Sequence, residues 1–231
     1  MGTPQGGVIS PILANVYLHE LDLRWHRQGG ARDRYGARLV RYADDFLVLA
    51  SQIDEPVQGF LTELLEGKMG LRLNQSKTRI LDLREPGSSL DFLGYTFRFD
   101  RDLKGRSKKY LNFFPSRKSL ERRRAEIKAL TIRQRQAPLS HVVAEVNKSL
   151  LSWGRYFADG YPAASFRQMD FYVQVRFDRF LRNRSQRRMK VPEGSTLPGW
   201  LGSLGLVRLG SSETIAYLRG LRPPPNYRRA G

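Results

Sequence analysis

Two adjacent carboxylates, Asp44 and Asp45, lie between the apolar runs Leu39–Val40 and Phe46–Leu49. The runs predict two short strands, with the Asp pair at the tip of the hairpin that joins them. Like charges at such close range repel each other unless a cation intervenes, and Mg²⁺ prefers carboxylate oxygens. On its own, an Asp-Asp dipeptide is most often a solvated turn. The pair is therefore a candidate metal site whose weight depends on its surroundings.

Other kinds of metal site find little support in the composition. The 231 residues include no cysteine, which excludes disulfides and thiolate zinc sites. The three histidines, His19, His26 and His141, are too scattered to suggest imidazole ligation. We therefore expect any metal to be held by oxygen ligands.

The elements expected around the Asp pair include both helices and strands. Ser10-Pro11 is typical of a helix start, and this helix is predicted to run to about residue 28. Apolar residues at helical spacing over 57–65 predict a second helix. Alternating apolar residues predict further strands at 71–73, 78–81 and 92–97. The first half is thus predicted to be α+β, a small antiparallel sheet with covering helices.

The second half has a different pattern. From Ser116 the chain is rich in arginine, and its apolar residues recur at helical spacing, which predicts a small helical bundle. The stretch after Met189 is rich in Gly, Pro and Ser and ends on Pro223–Pro225, so we expect little regular structure there. The predicted domains are 1–112, 113–190 and a C-terminal basic tail, 191–231.

The net charge is concentrated in this second half. Residues 1–99 carry equal numbers of Lys/Arg and Asp/Glu, so the whole formal charge of +18 lies in residues 100–231. This surplus favours an acidic polymer as partner, because neutralising its phosphates releases counterions. No run approaches the roughly 20 apolar residues that a membrane span needs. We expect no membrane contact and a cytoplasmic location.

Four sequence motifs strengthen the interpretation of the Asp pair. In chain order they are Pro4–Pro11 (PQGGVISP), Tyr42–Asp45 (YADD), Leu71–Thr78 (LRLNQSKT) and Phe92–Tyr95 (FLGY). In this order and spacing they resemble the palm motifs of group II intron reverse transcriptases. Ser152–Phe157 (SWGRYF), with the Arg-rich helix after it, looks like the maturase-specific thumb segment (domain X) of the same proteins. The resemblance covers most of residues 2–210.

The resemblance implies a partial reverse-transcriptase palm followed by a helical thumb/maturase domain. Asp44 and Asp45 would hold two catalytic Mg²⁺ ions, which activate the primer 3′ hydroxyl and stabilise the leaving pyrophosphate. Lys77 matches a lysine near the triphosphate that would protonate the leaving group. The nucleotide- and primer-binding residues would be Gln5, Gly6, Tyr42 and Ala43.

Basic and aromatic side chains of the second half are expected to bind structured RNA, through phosphate contacts and stacking. The alternative is that each basic run is only a solvated helix face. The candidate RNA-binding residues are Lys118, Arg122, Arg123, Arg124, Trp153, Arg155, Tyr156, Arg182, Arg184, Arg187 and Arg188.

A polymerase of this family also needs a third metal-binding aspartate, from a strand before the PQGGVISP loop, and fingers that grip the triphosphate. The sequence begins at that loop. We therefore expect no DNA synthesis by this chain alone, with the third carboxylate supplied from outside it. A split enzyme with a separate N-terminal fingers/palm polypeptide, a truncated reading frame and an engineered fragment all stay open.

Two functions follow as hypotheses. The first is RNA-directed DNA polymerisation with Mg²⁺, dNTPs, an RNA template and a DNA primer, together with binding of group II intron RNA for splicing. The second is a polymerase-inactive maturase remnant that acts only as a structured-RNA-binding splicing factor. A third reading, a basic nucleic-acid-binding protein with an accidental YADD turn, predicts that the Asp pair and the Gln5 loop do not converge.

Overall fold

The computed structural model describes residues 9–101, 109–134, 136–184 and 191–225. The chain folds into two compact units, residues 1–80 and 81–231. Helices and small antiparallel sheets occur together, which confirms the predicted α+β class. In the part that the structure describes, no helix combines the length and the apolar character that crossing a membrane requires. The cytoplasmic location stays a prediction.

The first unit consists of helices around one hairpin. Its elements are α1 (Ser10–His26), α2 (Ala31–Tyr35), β1 (Arg38–Tyr42), β2 (Asp45–Leu49) and α3 (Glu55–Thr62), which continues as a π-helical segment, Glu63–Lys68. The start of α3 is capped by the side chain of Asp54, which accepts a hydrogen bond from the backbone of Val57. A proline in the first turn suits a helix start, because no intrahelical bond is lost there.

The core of this unit forms between α1, β1 and the α3 segment. Leu21 and Trp25 of α1 are fully buried, and the Trp25 indole donates a 2.9 Å hydrogen bond to the carbonyl of Ala37. At Gly30, a Cβ would lie 2.6–2.8 Å from three backbone carbonyl oxygens at the end of α1. This turn therefore requires glycine.

The strands predicted at 71–73 and 78–81 are absent, and this prediction is wrong. The carbonyl of Asn74 instead accepts the backbone N–H groups of Lys77 and Thr78, each at 2.9 Å. Leu71 and Leu73 pack against the core only partly, and residues 74–81 are exposed. Alternation over so few residues does not fix a strand when no neighbouring strand pairs with it.

The second unit joins a three-stranded antiparallel sheet to a helical bundle. The sheet has the order β3-β4-β5, with β3 (Leu90–Phe92), β4 (Tyr95–Arg101) and β5 (Lys109–Pro115). The helices are α4 (Arg117–Arg133), α5 (Leu139–Phe157), α6 (Ala163–Arg182), α7 (Leu197–Ser203) and α8 (Ser212–Leu218).

The predicted helical bundle is confirmed by α4, α5 and α6. Val142, Val146 and Leu150 form one fully buried stripe of α5, and Phe166 and Phe177 are fully buried on α6. Burying each side chain of this size stabilises the fold by roughly 1.5–3 kcal/mol. The apolar spacing recognised in the sequence is thus the surface on which these helices pack.

Little regular structure was expected after Met189, and this expectation is wrong for the described residues. Helices α7 and α8 both lie in this stretch, and Leu201 and Leu209 are fully buried in the bundle core. The amide of Asn147 donates to the carbonyl of Gly205 and accepts from the N–H of Val207. Residues of the predicted tail therefore complete the bundle. Its Gly, Pro and Ser content serves short helices whose starts are capped by Thr196 and Ser211.

Candidate active site and RNA-binding surface

The Asp pair lies at the tip of the β1–β2 hairpin, as the sequence predicts. Tyr42 pairs with Asp45, and this pair closes a two-residue turn formed by Ala43 and Asp44. Ala43 has a φ of +52°, which is uncommon outside glycine. Two-residue hairpin turns need positive φ at their first position, because only then does their twist match that of the strands. The two carboxylates are thus neighbours in the hairpin, with Asp44 in the turn and Asp45 at the start of β2.

Both carboxylates are exposed, and Asp45 lies on an open face of the hairpin. Strand alternation puts Asp45 on the same face as Tyr42 and Val40. Tyr42 is 65% exposed and Val40 44%, whereas Leu39 on the opposite face is buried in the core. One face of the hairpin therefore anchors it, and the other presents a carboxylate beside an aromatic ring.

The donor set suits a hard divalent cation. Mg²⁺ is often bound by one or two carboxylates, with water and substrate phosphate oxygens completing its octahedral shell. In the ranges that the structure describes, no three or more His, Cys, Asp or Glu side chains cluster closely enough to hold an ion. Asp44 and Asp45 are carboxylates of the kind that such an ion prefers, and their role as ligands stays a prediction.

Arg41 holds the turn from behind, and sequence reasoning missed it. Its guanidinium forms an ion pair with Asp22 of α1, with Nε 3.1 Å from Oδ1. It also donates to the side chain of Asn15 and to the carbonyl of Ala43, both at 2.9 Å. The hydrogen bonds that Arg41 donates to Asp22 raise the pKa of Arg41 against the opposing effect of burial. One side chain therefore ties α1 to the turn that carries Asp44.

A signal for Arg41 was present in the sequence. It is two residues from the buried Leu39, so strand alternation puts its side chain on the core face. A cation on a core face needs a partner, because an unpaired buried charge is costly. The identity of that partner, Asp22, depends on long-range packing and could not be predicted.

The other predicted polymerase residues are only partly placed. Gln5 and Gly6 lie outside the described residues, as does the loop to which they belong. Lys77 is exposed in the turn anchored by Asn74. Within the described ranges no hydrogen bond or ion pair joins Lys77 to Asp44 or Asp45. The roles of these residues stay predictions.

The FLGY motif forms a second tight hairpin turn and not part of one continuous strand, which corrects the prediction for 92–97. Phe92 pairs with Tyr95, and the turn residues Leu93 and Gly94 have φ values of +50° and +80°. Gly94 accommodates this conformation freely, while Leu93 is strained by roughly 1 kcal/mol. The turn therefore needs support from its surroundings.

That support comes from the SWGRYF segment at the end of α5. The Tyr156 hydroxyl donates to the Leu93 carbonyl at 2.9 Å, and the Tyr95 hydroxyl donates to the Tyr156 carbonyl. The Tyr95 ring lies 4.6 Å from that of Phe157, centroid to centroid. Burial, with nearby Tyr156 and Asp159, raises the pKa of Tyr95 to about 12. Two of the sequence motifs thus bind each other directly.

Trp153 is a core residue, which corrects its predicted role in RNA stacking. Its side chain is only 5% exposed, and its ring packs against Phe157 and Phe166 at centroid distances of 5.1 and 5.6 Å. The indole N–H donates to the hydroxyl of Ser119. Trp153 continues the buried stripe of α5 one turn after Leu150, which is why it turns inward.

The α4 candidates differ in accessibility. Lys118 and Arg122 are exposed, and Arg122 pairs with Glu126 at 3.4 Å. Exposed pairs of this kind are worth about 0–1 kcal/mol, so a phosphate can replace the glutamate at little cost. Arg123 is half-buried, donates to Ser149, and has its pKa lowered by that burial. Arg124 lies 5.5 Å from the ring centroid of Tyr172.

The remaining candidates fall at both ends of the bundle. Arg155 and Tyr156 are exposed at the end of α5, where Arg155 contacts Tyr217 of α8 and Tyr156 contacts the Leu93 carbonyl. Arg182 lies at the far end, because α4 and α6 run in the same direction; it pairs with Asp178 at 2.8 Å, and Arg184 lies over the ring of Phe180. Arg187 and Arg188 are outside the described residues. The structure therefore has Lys118, Arg122, Arg155 and Tyr156 at one end of the bundle and Arg182 at the other.

Two protein families match this chain. The family described as "Reverse transcriptase (RNA-dependent DNA polymerase)" matches residues 1–97. The family described as "Group II intron, maturase-specific domain" matches residues 120–193. The first match includes both hairpin turns, and the second includes most of the helical bundle.

Curated relatives match shorter parts of the chain. Protein YkfC of Escherichia coli is 35% identical over 34% of this chain and 28% of its own length. The group II intron-encoded protein LtrA of Lactococcus lactis is 28% identical over 43% of this chain and 26% of its own length. A protein in a cob intron of Schizosaccharomyces pombe is 73% identical over 10% of this chain. The matched part thus spans about a quarter of the first two relatives.

Proposed function

Because this chain belongs to the reverse transcriptase/maturase proteins of group II introns, we propose that it supplies part of the polymerase palm and the RNA-binding thumb. In this proposal the activity is RNA-directed DNA polymerisation, and the thumb binds intron RNA for splicing. The observation that carries the polymerase part is the YADD hairpin, whose tip presents two adjacent exposed carboxylates on an anchored turn.

In the proposed reaction, Asp44 and Asp45 bind Mg²⁺, which when present lowers the pKa of the primer 3′ hydroxyl and stabilises charge on the leaving pyrophosphate. Tyr42 and Ala43 border the primer end or the incoming dNTP. Arg41 donates a hydrogen bond to the Ala43 carbonyl and so fixes the position of the turn relative to α1. Within the described residues no third carboxylate clusters with this pair, so the proposed reaction needs a further carboxylate that these residues do not place there.

Gln5, Gly6 and Lys77 complete the proposed site. Gln5 and the Gly6 backbone border the nucleotide and the template, since glycine allows close approach. Lys77 donates a proton to the leaving group. Its exposed position in the Asn74 turn leaves the ammonium group free to reach a bound triphosphate.

RNA binding is assigned to the second unit. Lys118, Arg122 and Arg155 supply exposed cations at one end of the bundle, and Tyr156 an exposed ring. Arg182 and Arg184 contribute at the other end. The surplus of +18 in residues 100–231 supports this assignment, because phosphate contacts dominate the affinity of such proteins for RNA.

The test is primer extension on an RNA template with a DNA primer, dNTPs and Mg²⁺. The 231-residue chain is assayed alone and mixed with an N-terminal fingers/palm polypeptide of a related enzyme. Asp44→Asn/Asp45→Asn removes two negative charges and keeps the side-chain shape. Glu55→Gln/Glu85→Gln is the charge-matched control, since both glutamates are exposed and neither side chain makes a described contact.

We expect primer extension only in the mixture. The Asp44→Asn/Asp45→Asn protein should lose this extension, and the Glu55→Gln/Glu85→Gln control should keep it. Extension by the chain alone would contradict the need for an external carboxylate. Extension that survives loss of both aspartates would contradict the proposed metal site.

The second candidate function is binding of structured RNA without polymerisation. The uneven charge favours it, because the first 99 residues are electrically neutral and the basic unit alone can bind RNA. RNA binding by the chain, with no extension in any mixture, would make this the better account.

A further inference from the structure

Phe171 of α6 is 68% exposed, although α6 supplies much of the bundle core. Phe166, Met169, Val173 and Phe177 of the same helix are essentially fully buried. Phe171 lies on the opposite face and is the only exposed large apolar residue that the structure describes in α6. Its exposure is therefore not part of an exposed apolar stripe along α6.

The surroundings of Phe171 are basic and polar. Arg167 precedes it by one helical turn and is exposed, as is Gln168. No hydrogen bond or ion pair of the Arg167 side chain occurs within the described residues. Two exposed arginines of α4 differ, because Arg117 and Arg122 pair with glutamates one turn further on. Arg167 thus makes no ion pair within the described residues and lies one helical turn from an exposed ring.

A half-buried carboxylate of α6 anchors a loop that carries a second cation. Asp170 accepts hydrogen bonds from the backbone N–H groups of Leu209 and Gly210, both at 2.9 Å. This holds the loop against α6 so closely that a Cβ on Gly210 would lie 2.7 Å from Cγ of Arg167. Arg208 precedes this anchored loop, is exposed, and acts electrostatically on Asp170. The anchored loop therefore brings a second exposed cation, Arg208, close to Asp170, the residue before Phe171.

We propose that Phe171 stacks on an unpaired base of bound RNA, while Arg167 and Arg208 contact the phosphates beside that base. This inference rests on the proposed RNA binding and names a part of the surface that sequence reasoning did not select. An aromatic face binds any base by stacking, and guanidinium groups bind phosphates. A protein partner fits less well, because a single ring among cations offers little apolar area.

Two RNA probes separate stacking from general electrostatic attraction. One is a fluorescein-labelled hairpin with a single-stranded uridine loop, and the other is a blunt duplex with the sequence of its stem. Base stacking on a side chain requires unpaired bases, so only the hairpin can use the ring. The complete 231-residue chain is titrated with both probes at several salt concentrations.

Three variants and one control are compared with the unmodified protein. Phe171→Ala should weaken hairpin binding roughly tenfold to a hundredfold and leave duplex binding within about twofold, given the usual contribution of one stacked base. Phe171→Trp should restore binding, with indole fluorescence quenched on adding the hairpin. Arg167→Gln should lower the salt dependence by about one counterion. The control is Phe99→Ala, because Phe99 is exposed but lies in β4, and it should have no effect.

The outcomes are distinct. A selective loss in Phe171→Ala that is rescued by Phe171→Trp supports the inference. Unchanged hairpin binding in Phe171→Ala, or an equal loss in Phe99→Ala or on the duplex, overturns it and leaves the proposed function in place. An unmodified protein that binds neither RNA overturns both. Thermal unfolding should be unaffected in Phe171→Ala, because the ring is exposed, so a loss of binding cannot come from misfolding.

Discussion

Replacement of Asp22 by asparagine should loosen the turn that carries the candidate catalytic pair. Asp22 gives the Arg41 guanidinium its only counter-charge in the described residues. The Arg41 side chain is 13% exposed and that of Asp22 29%, so solvent screens the pair less than a surface pair. Hydrogen bonds to charged groups contribute about 1.5–3 kcal/mol when shielded, and an asparagine side chain at this position would keep one of the two accepting oxygens. We expect a loss of about 1–2 kcal/mol in the free energy of unfolding.

The matched control lies on the same helix. Glu20→Gln removes one negative charge from the pair between Glu20 and Arg24, whose side chains are 44% and 34% exposed. Such a helical surface pair contributes about 0.3–0.5 kcal/mol. Urea unfolding of both variants, followed by tryptophan fluorescence because Trp25 lies in the same core, measures the difference. The reasoning is refuted if Asp22→Asn lowers the free energy of unfolding by no more than Glu20→Gln does.

Three further predictions concern the second unit. Gly160→Ala should lower the free energy of unfolding by about 3 kcal/mol or more, because its Cβ would lie 2.0 Å from the carbonyl oxygen of Phe113. The control is Gly202→Ala, which has no atom within 4 Å of its Cβ and should be neutral or slightly stabilising in the same denaturation assay. Burial raises the pKa of Asp170, so the folded state binds a proton on this carboxyl more tightly than the unfolded chain does. The stabilisation from this protonation is present at low pH and is lost as pH rises through the pKa of the folded state. The stability of the unmodified protein relative to Asp170→Asn should therefore fall as pH is raised from about 4, and a rise in urea titrations would contradict the prediction. Arg176→Met should lower the stability by less than about 1 kcal/mol or raise it, because Arg176 is buried and its Nε has no hydrogen-bond partner in the described residues. A larger loss in thermal unfolding would show that the hydrogen bond from Arg176 to the Thr131 hydroxyl is needed.

Local patterns predicted the elements whose partners are close in the chain. The Asp44 hairpin follows from two apolar runs that flank a short turn, and the α5 and α6 helices follow from their apolar spacing. The α7 and α8 helices were missed because each is short and lies among Gly, Pro and Ser residues. Only their burial against α5 and α6 makes such segments helical.

The candidate site was predictable in its motif but not in its supports. Tyr42–Asp45 carries its own signature, whereas the pairing of Arg41 with Asp22 joins residues 19 apart. Trp153 was assigned to the surface because aromatic residues near arginines suggest stacking on RNA. Its position on the buried stripe of α5 was the better guide. Phe171 lies off the buried stripe of its own helix, which is the signal that could have selected it.

The clasp between the FLGY turn and the end of α5 also sets an order of events during protein synthesis. Its two hydrogen bonds join residues 61 and 63 positions apart. A ribosome that adds about 5–20 residues per second needs roughly 3–12 seconds to make that distance. During this interval the strained Leu93 turn has been made, but its tyrosine partner has not. In a nascent chain the Leu93 turn therefore stays without this support until the end of α5 has been synthesised.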